Sequence, residues 1–105
     1  MIPQSEPRFR QRVPCRLWIG ESSYSGVVLN LSRLGMFVQT GASMRAGEPI
    51  ELKLRGEIHV QAEVVWRRRV PPALRNSAEG GVGIRILGAP EDYYHLLVEV
   101  AGVQI

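Results

Sequence analysis

An all-β domain of short antiparallel strands, a barrel or a sandwich finished by one helix, is the fold class this sequence predicts. Three observations predict it. Six runs alternate apolar and polar residues, residues that favour tight turns separate them, and the spacing lengthens to that of a helix only near the C-terminal end. Alternation marks strands with one buried and one solvated face, and short strands joined by tight turns pair antiparallel.

In the first run Val13, Cys15, Leu17 and Ile19 share one face, with Arg16 and Trp18 on the other. Gly20-Glu21-Ser22-Ser23 turns the chain into a second run, Tyr24 to Leu29. Asn30-Leu31-Ser32-Arg33-Leu34-Gly35, rich in side chains that bond local backbone, separates it from a third, Met36 to Thr40. Ile50, Leu52 and Leu54 alternate with Glu51, Lys53 and Arg55 in the fourth. After Gly56-Glu57 comes the fifth, in which Ile58, Val60, Ala62, Val64 and Trp66 are assigned to one face. A polar, proline-bearing loop runs from about Val70 to Gly81, and in the sixth run Val82, Ile84 and Ile86 alternate with Gly83 and Arg85. Pro90, Glu91 and Asp92 suit a helix start, Tyr94, Leu97, Val98 and Ala101 recur at helical spacing, and Gly102 is a natural stop. The division expected is an arginine-rich arm over residues 1–12 and one strand-and-helix domain over 13–105.

A chain of 105 residues is one domain's worth of material, large enough to form a core without metal or disulfide staples. Its single cysteine, Cys15, lies in an alternating run and reads as a buried, inert thiol. No apolar stretch approaches the ~20 residues that span a bilayer. The first twelve residues have no hydrophobic segment behind their charges, so the expectation is a cytoplasmic protein without membrane insertion. The net charge of +3 is too small to imply nucleic acid. Its placement says more: Arg8, Arg10, Arg12 and Arg16 cluster at the start and Arg67, Arg68 and Arg69 form a second run, a density that favours a phosphate-bearing partner.

Catalytic constellations are hard to assemble here. His59 and His95 have no Cys, His or carboxylate at metal-ligand spacing, so no metal is expected. Glu91-Asp92 fits helix N-terminal charge better than an acid/base pair, and Ser22, Ser23 and Ser25 have no base to activate them. The glycines form neither a Walker loop nor a dinucleotide fingerprint. The expectation is a binding protein, not an enzyme.

Two segments remain. In Arg8-Phe9-Arg10-Gln11-Arg12, guanidinium groups four residues apart can bond guanine or phosphate in pairs and stack on a base. Asn30-Leu31-Ser32-Arg33-Leu34-Gly35 taken alone reads first as a turn between strands; as a ligand surface, an extended backbone would point Asn30 and Ser32 the same way, presenting a carboxamide and an outward hydroxyl to one base edge. Gly35, without a Cβ, permits positive φ and a close approach.

In this order the two segments resemble the signature of the PilZ family, which is Arg-x-x-x-Arg on an N-terminal arm followed by Asp or Asn, then x-Ser-x-x-Gly, between early barrel strands. Arg8 and Arg12 match the first element, with Val13 after it, and Asn30, Ser32 and Gly35 match the second. Gly47 and the Ile50–Leu54 run, Val64-Val65-Trp66, and Gly81-Val82-Gly83-Ile84 before a closing helix also look like the family's layout, from about residue 6 to 100. The resemblance implies a six-stranded antiparallel β-barrel with one C-terminal α-helix that binds the bacterial second messenger cyclic di-GMP and needs no other cofactor. By carry-over, Arg8 and Arg12 would hold guanine and phosphate while Asn30, Ser32 and Gly35 form the base-facing side. Arg10, Arg33 and Arg67 are additional candidate phosphate contacts without a motif position. Ligand binding would order the arm and act in trans on a protein partner. The alternative is a PilZ-like adaptor that works through protein contacts without nucleotide. A nucleic-acid module is disfavoured, because Phe9, Trp18 and Tyr24 do not line one strand.

Overall fold

The computed structural model describes residues 8–68 and 80–104, with side chains through residue 102. Strands β1 (Phe9–Ile19), β2 (Ser22–Leu31), β3 (Gly35–Gln39), β4 (Pro49–Leu54), β5 (Ile58–Arg68) and β6 (Gly81–Gly88) precede helix α1 (Glu91–Gln104). The strands close into an antiparallel barrel in the order β1-β2-β3-β6-β5-β4. Of the two architectures that alternation allows, the chain takes the barrel, so every strand has two partners and no edge is left unpaired.

Alternation fills the interior as the sequence predicts. Val13, Leu17, Val28, Met36, Val38, Leu52, Leu54, Val60, Val64, Val82 and Ile84 are buried together. Each such side chain contributes ~1.5–3 kcal/mol on leaving water. Cys15 joins them as a free, buried thiol, and burial pushes its pKa up to about 11. Between β4 and β5, Arg55 and Gly56 both take positive φ and Glu57 N–H closes the turn on the Leu54 carbonyl at 3.0 Å. Those two positive φ values fit a mirror-image hairpin turn, whose twist matches that of the strands it joins.

Four local expectations change. The first strand begins at Phe9, not Val13, because Phe9 and Arg10 pair with Leu31 and Asn30 of β2. The basic segment is therefore barrel backbone from Phe9 onward. Trp66 leaves the face it was assigned to, since the β5–β6 register shifts between Val64 and Trp66 and leaves it 44% exposed on the outside. On α1 the core stripe is Tyr93, Leu96, Leu97 and Val100, one position off the predicted one, while Tyr94 and Val98 face solvent. Both stripes have helical spacing, and the fold buries the one that carries Tyr93. Lastly, Gly102 does not take positive φ, and the helix continues to Gln104. Residues 69–79 of the expected polar loop, with Arg69, and residues 1–7 lie outside the described residues.

Tyr93 N–H bonds the Pro90 carbonyl at 3.0 Å, which opens the helix, and α1 packs on β1 and β5. Arg55 and Glu99 form an exposed ion pair at 2.8 Å across that seam, and Arg85 pairs with Glu63 on the barrel wall. Such solvated pairs contribute little, ~0–1 kcal/mol.

Candidate ligand groove

Register pairing places Arg10, Asn30, Phe37, Gly83 and Trp66 in one row across the outer face of β1, β2, β3, β6 and β5. Three irregularities flank that row. Between Arg10 and Val13 β1 carries one residue more than β2, between Val28 and Asn30 β2 carries one more than β3, and between Val64 and Trp66 β5 carries one more than β6. A bulge bends its strand and re-aims the side chains beside it, and bulges gather next to binding sites. Here they curve this wall of the barrel around an open groove of about 570 Å³ lined by Arg10, Gln11, Arg12, Leu29, Asn30, Phe37 and Arg68. That volume lies within the ~300–1,000 Å³ of typical small-molecule sites.

Three guanidinium groups, from Arg10, Arg12 and Arg68, line the groove, and a fourth reaches its rim. Arg8 Nη1 donates to Asn30 Oδ1 at 2.7 Å, so the two motif segments meet at Asn30. The aromatic side of the groove is assembled from three strands. Phe37 and Trp66 stack with centroids 5.3 Å apart and planes at 21°, and the Arg68 guanidinium lies 4.7 Å above the Phe37 ring. Glycine at 83 makes room for this stack: a Cβ there would come within 2.1 Å of Trp66 Nε1. Phe37 is thus covered although it points away from the barrel interior. The outcome is a shallow site with fixed positive charge, a flat stacked surface, and the Asn30 amide between them. Such a site suits a flat, anionic ligand.

The Asn30–Gly35 segment behaves differently from expectation at two positions. Ser32 does not point outward; it is 2% exposed. Its Oγ accepts from Leu34 N–H at 3.3 Å and Gly35 N–H at 3.1 Å and donates to the Gly35 carbonyl at 3.1 Å, and Ser32 N–H donates to the same carbonyl at 2.8 Å. The strand ends at Leu31 and the chain bends at residues 33–34, so the alternation that would have aimed both side chains alike stops before Ser32. Gly35 does not take positive φ. Glycine is required there by contact, because a Cβ would lie 2.3 Å from the Ile84 carbonyl oxygen and 3.8 Å from Arg8 Nη2. The turn is held from the helix as well: the buried Tyr93 hydroxyl donates to the Ser32 carbonyl at 2.6 Å. Burial raises the Tyr93 pKa, Tyr94 adds to the rise, and the charge of nearby Arg8 opposes it.

Of the residues singled out in the sequence, Arg8, Arg10, Arg12 and Asn30 meet at the groove, with Gly35 at the Arg8 end. Arg33 is exposed on the turn and Arg67 is exposed opposite Val82, and neither lines the groove. Gln11, Leu29, Phe37 and Arg68 line it and were missed. Arg68 belongs to the second basic run, but alternation with Trp66 assigned to the core face would have turned it inward; nothing local marks Gln11 or Leu29, which depend on the bulges. His59 stands opposite Lys53 on the barrel exterior, and His95 is 3.6 Å from Glu91 on the helix. Ser23 and Ser25 each accept from Arg16 at 3.1 Å. No helix of the described residues is long and apolar enough to cross a membrane.

A closed six-stranded antiparallel barrel with a C-terminal helix, carrying both arginine and Asn-Ser-Gly motifs, defines a small helix-capped β-barrel class. The chain matches the PilZ domain family over residues 3–101 and belongs to that family. Among solved structures it is similar to the Bacillus subtilis inhibitor of motility MotI/DgrA, with a TM-score of 0.78 and 18% identity over 99% of this chain. The match covers 52% of that protein, so the chain spans about half its length. It is also similar to the PilZ domain of Escherichia coli YcgR solved with c-di-GMP, with a TM-score of 0.71 and 13% identity, covering 98% of this chain and 92% of that one. At these identities the likeness is one of fold. No curated protein matches the chain.

Proposed function

We propose that this protein is a cyclic di-GMP receptor and that the groove beside Asn30 is its ligand site. The observation that carries the reading is the convergence of Arg8, Arg10, Arg12 and Arg68 with Asn30 around the Phe37–Trp66 stack. Cyclic di-GMP carries two phosphate charges and two flat purines, and the groove offers a partner for each. Arginine forks bond phosphate oxygens and the O6/N7 edge of guanine in pairs, and their planes stack on bases. The Asn30 carboxamide can accept from a guanine N–H through its oxygen, which Arg8 occupies in the free protein, so ligand entry would exchange that bond. Membership of the PilZ family and the likeness to a PilZ domain that holds c-di-GMP support the same reading.

In this reading Ser32 and Gly35 shape the turn that sets Asn30 and Arg8, and Arg8, Arg10, Arg12 and Arg68 supply the charge. The protein acts by binding and delivers its signal to a protein partner in trans from the cytoplasm. Titration of the purified chain with cyclic di-GMP, with GTP as a control, tests it directly. Saturable binding that Arg12→Ala abolishes supports the receptor; a folded chain without binding would leave the nucleotide-free adaptor.

A further inference from the structure

We infer that Tyr93 is a positioning residue for the ligand groove, tying the Asn30–Gly35 turn to α1 so that the groove and the outer face of the helix respond to one another. The inference rests on the cyclic di-GMP reading above and adds a means of communication to it.

A buried tyrosine needs a partner for its hydroxyl, so a bond alone would mean only a satisfied core residue. The choice of partner says more. Tyr93 is fully buried, yet its hydroxyl crosses 61 positions of sequence to a carbonyl in the motif turn. The other polar groups of Ser32 are already engaged inside that turn, its N–H on the Gly35 carbonyl and its Oγ with Leu34 and Gly35. The Ser32 carbonyl is therefore the group through which the turn is tied to α1, while Ile86 N–H of β6 holds its Leu34 carbonyl at 2.8 Å. Asn30, two residues before it, accepts from Arg8, and Arg8 Nη2 sits 3.8 Å from the place a Cβ of Gly35 would occupy. A ligand that takes the Asn30 oxygen from Arg8 thus acts on both ends of the segment that Tyr93 grips.

On its other side Tyr93 meets Tyr94 edge to face, with centroids 5.4 Å apart at 80°. Tyr94 is 38% exposed and Val98, one turn further, is 72% exposed. A shift of the turn is thereby passed, through one hydrogen bond and one ring contact, to the solvent face of α1. Such coupling is reciprocal: whatever immobilises α1 must change ligand affinity by the same factor that the ligand changes its hold.

Hydrogen exchange and titration on wild type, Tyr93→Phe and Leu97→Ala test the inference. Phenylalanine keeps the ring and deletes the hydroxyl. Leu97 packs in the core from the same helix without a bond to the turn, so its variant loses stability alone. In wild type, cyclic di-GMP should slow amide exchange in α1 as well as at Leu34 and Gly35. Tyr93→Phe should exchange faster at Leu34 and Gly35 without ligand, bind about tenfold more weakly, a change of ~1.4 kcal/mol, and lose the ligand-dependent protection of α1. Leu97→Ala should melt lower and keep wild-type affinity. Wild-type affinity in Tyr93→Phe, equal weakening in Leu97→Ala, or an α1 that ignores ligand in wild type would each overturn the inference while leaving the receptor intact. Failure of wild type to bind would instead remove the receptor reading and this inference with it. The wild-type exchange measurement decides the matter even if Tyr93→Phe does not fold.

Discussion

The groove around Asn30 and the turn around Ser32 come from one short stretch of chain and one motif, yet they obey different physics. Asn30 stands in a row of outward side chains, half-buried and facing arginine. Ser32 is enclosed, and its hydroxyl is consumed by the backbone around it. Serine suits that task because one oxygen can accept and donate at once, replacing the backbone partners that a tight strand connection lacks. In the receptor reading proposed above, the motif is therefore part recognition and part scaffold. Substitutions in the two parts should fail in different assays, affinity for one and stability for the other.

The scaffold side gives the largest expected effect. Gly35→Ala drives a methyl group into the Ile84 carbonyl, so it should cost about 3 kcal/mol or more, read as a large drop in melting temperature. A melting temperature near wild type would mean that β3 and β6 can separate, and the scaffold half of the comparison would fail.

On the recognition side, Arg12→Ala should lose roughly 2–5 kcal/mol of cyclic di-GMP binding while the melting temperature stays close to wild type. Arg12 is exposed and lies at the β1 bulge, where it contributes charge to the groove and little to the core. A variant that melts early would place it with the scaffold.

Ser32→Ala separates the two directly. Leu34 N–H and Gly35 N–H lose their acceptor in a buried place, so stability should fall by about 1–3 kcal/mol. Affinity measured well below the melting transition should fall less than for Arg12→Ala. The reverse order would show the hydroxyl meeting the ligand.

A further test uses pH. The buried Cys15 thiol titrates at about 11 in the fold against 9.0 for an ordinary thiol. The folded state therefore keeps a proton that the unfolded chain has already released. Stability from this source is fully present below pH 9 and declines as pH rises from about 9 to 11, by up to ~3 kcal/mol from a two-unit shift. In denaturant melts between pH 8 and 10.5, wild type should lose stability as pH rises while Cys15→Val should lack that loss. Parallel curves would assign the loss to other groups.

The barrel was legible because alternation is a local signal. Val13 to Ile19, Ile50 to Leu54 and Ile58 to Val64 need only the two-residue repeat of a strand to be placed. Membership in the family came from two motifs whose residues do lie side by side. The parts that could not be read were set by register. The one extra residue between Arg10 and Val13, and those at Leu29 and Val65, each reverse the inside-outside rule for the next stretch of strand; the last moved Trp66 outward, and Ser32 turned inward where β2 ends. Arg68 lies over the Phe37 ring, for which Gly81 on the neighbouring strand leaves room, a fact of cross-strand contact. On the helix two overlapping stripes share helical spacing, and packing on β1 and β5 chose the one with Tyr93.

The central claim is that a cationic, aromatic groove on the bulged wall holds cyclic di-GMP, and isothermal titration at two salt concentrations tests it most directly. The account predicts saturable binding of cyclic di-GMP and none of GTP. It also predicts affinity that falls as salt screens the arginine–phosphate contacts, over a screening length of about 10 Å at 0.1 M. No heat of binding from a folded protein, or an affinity indifferent to salt and unchanged by Arg12→Ala, would contradict it.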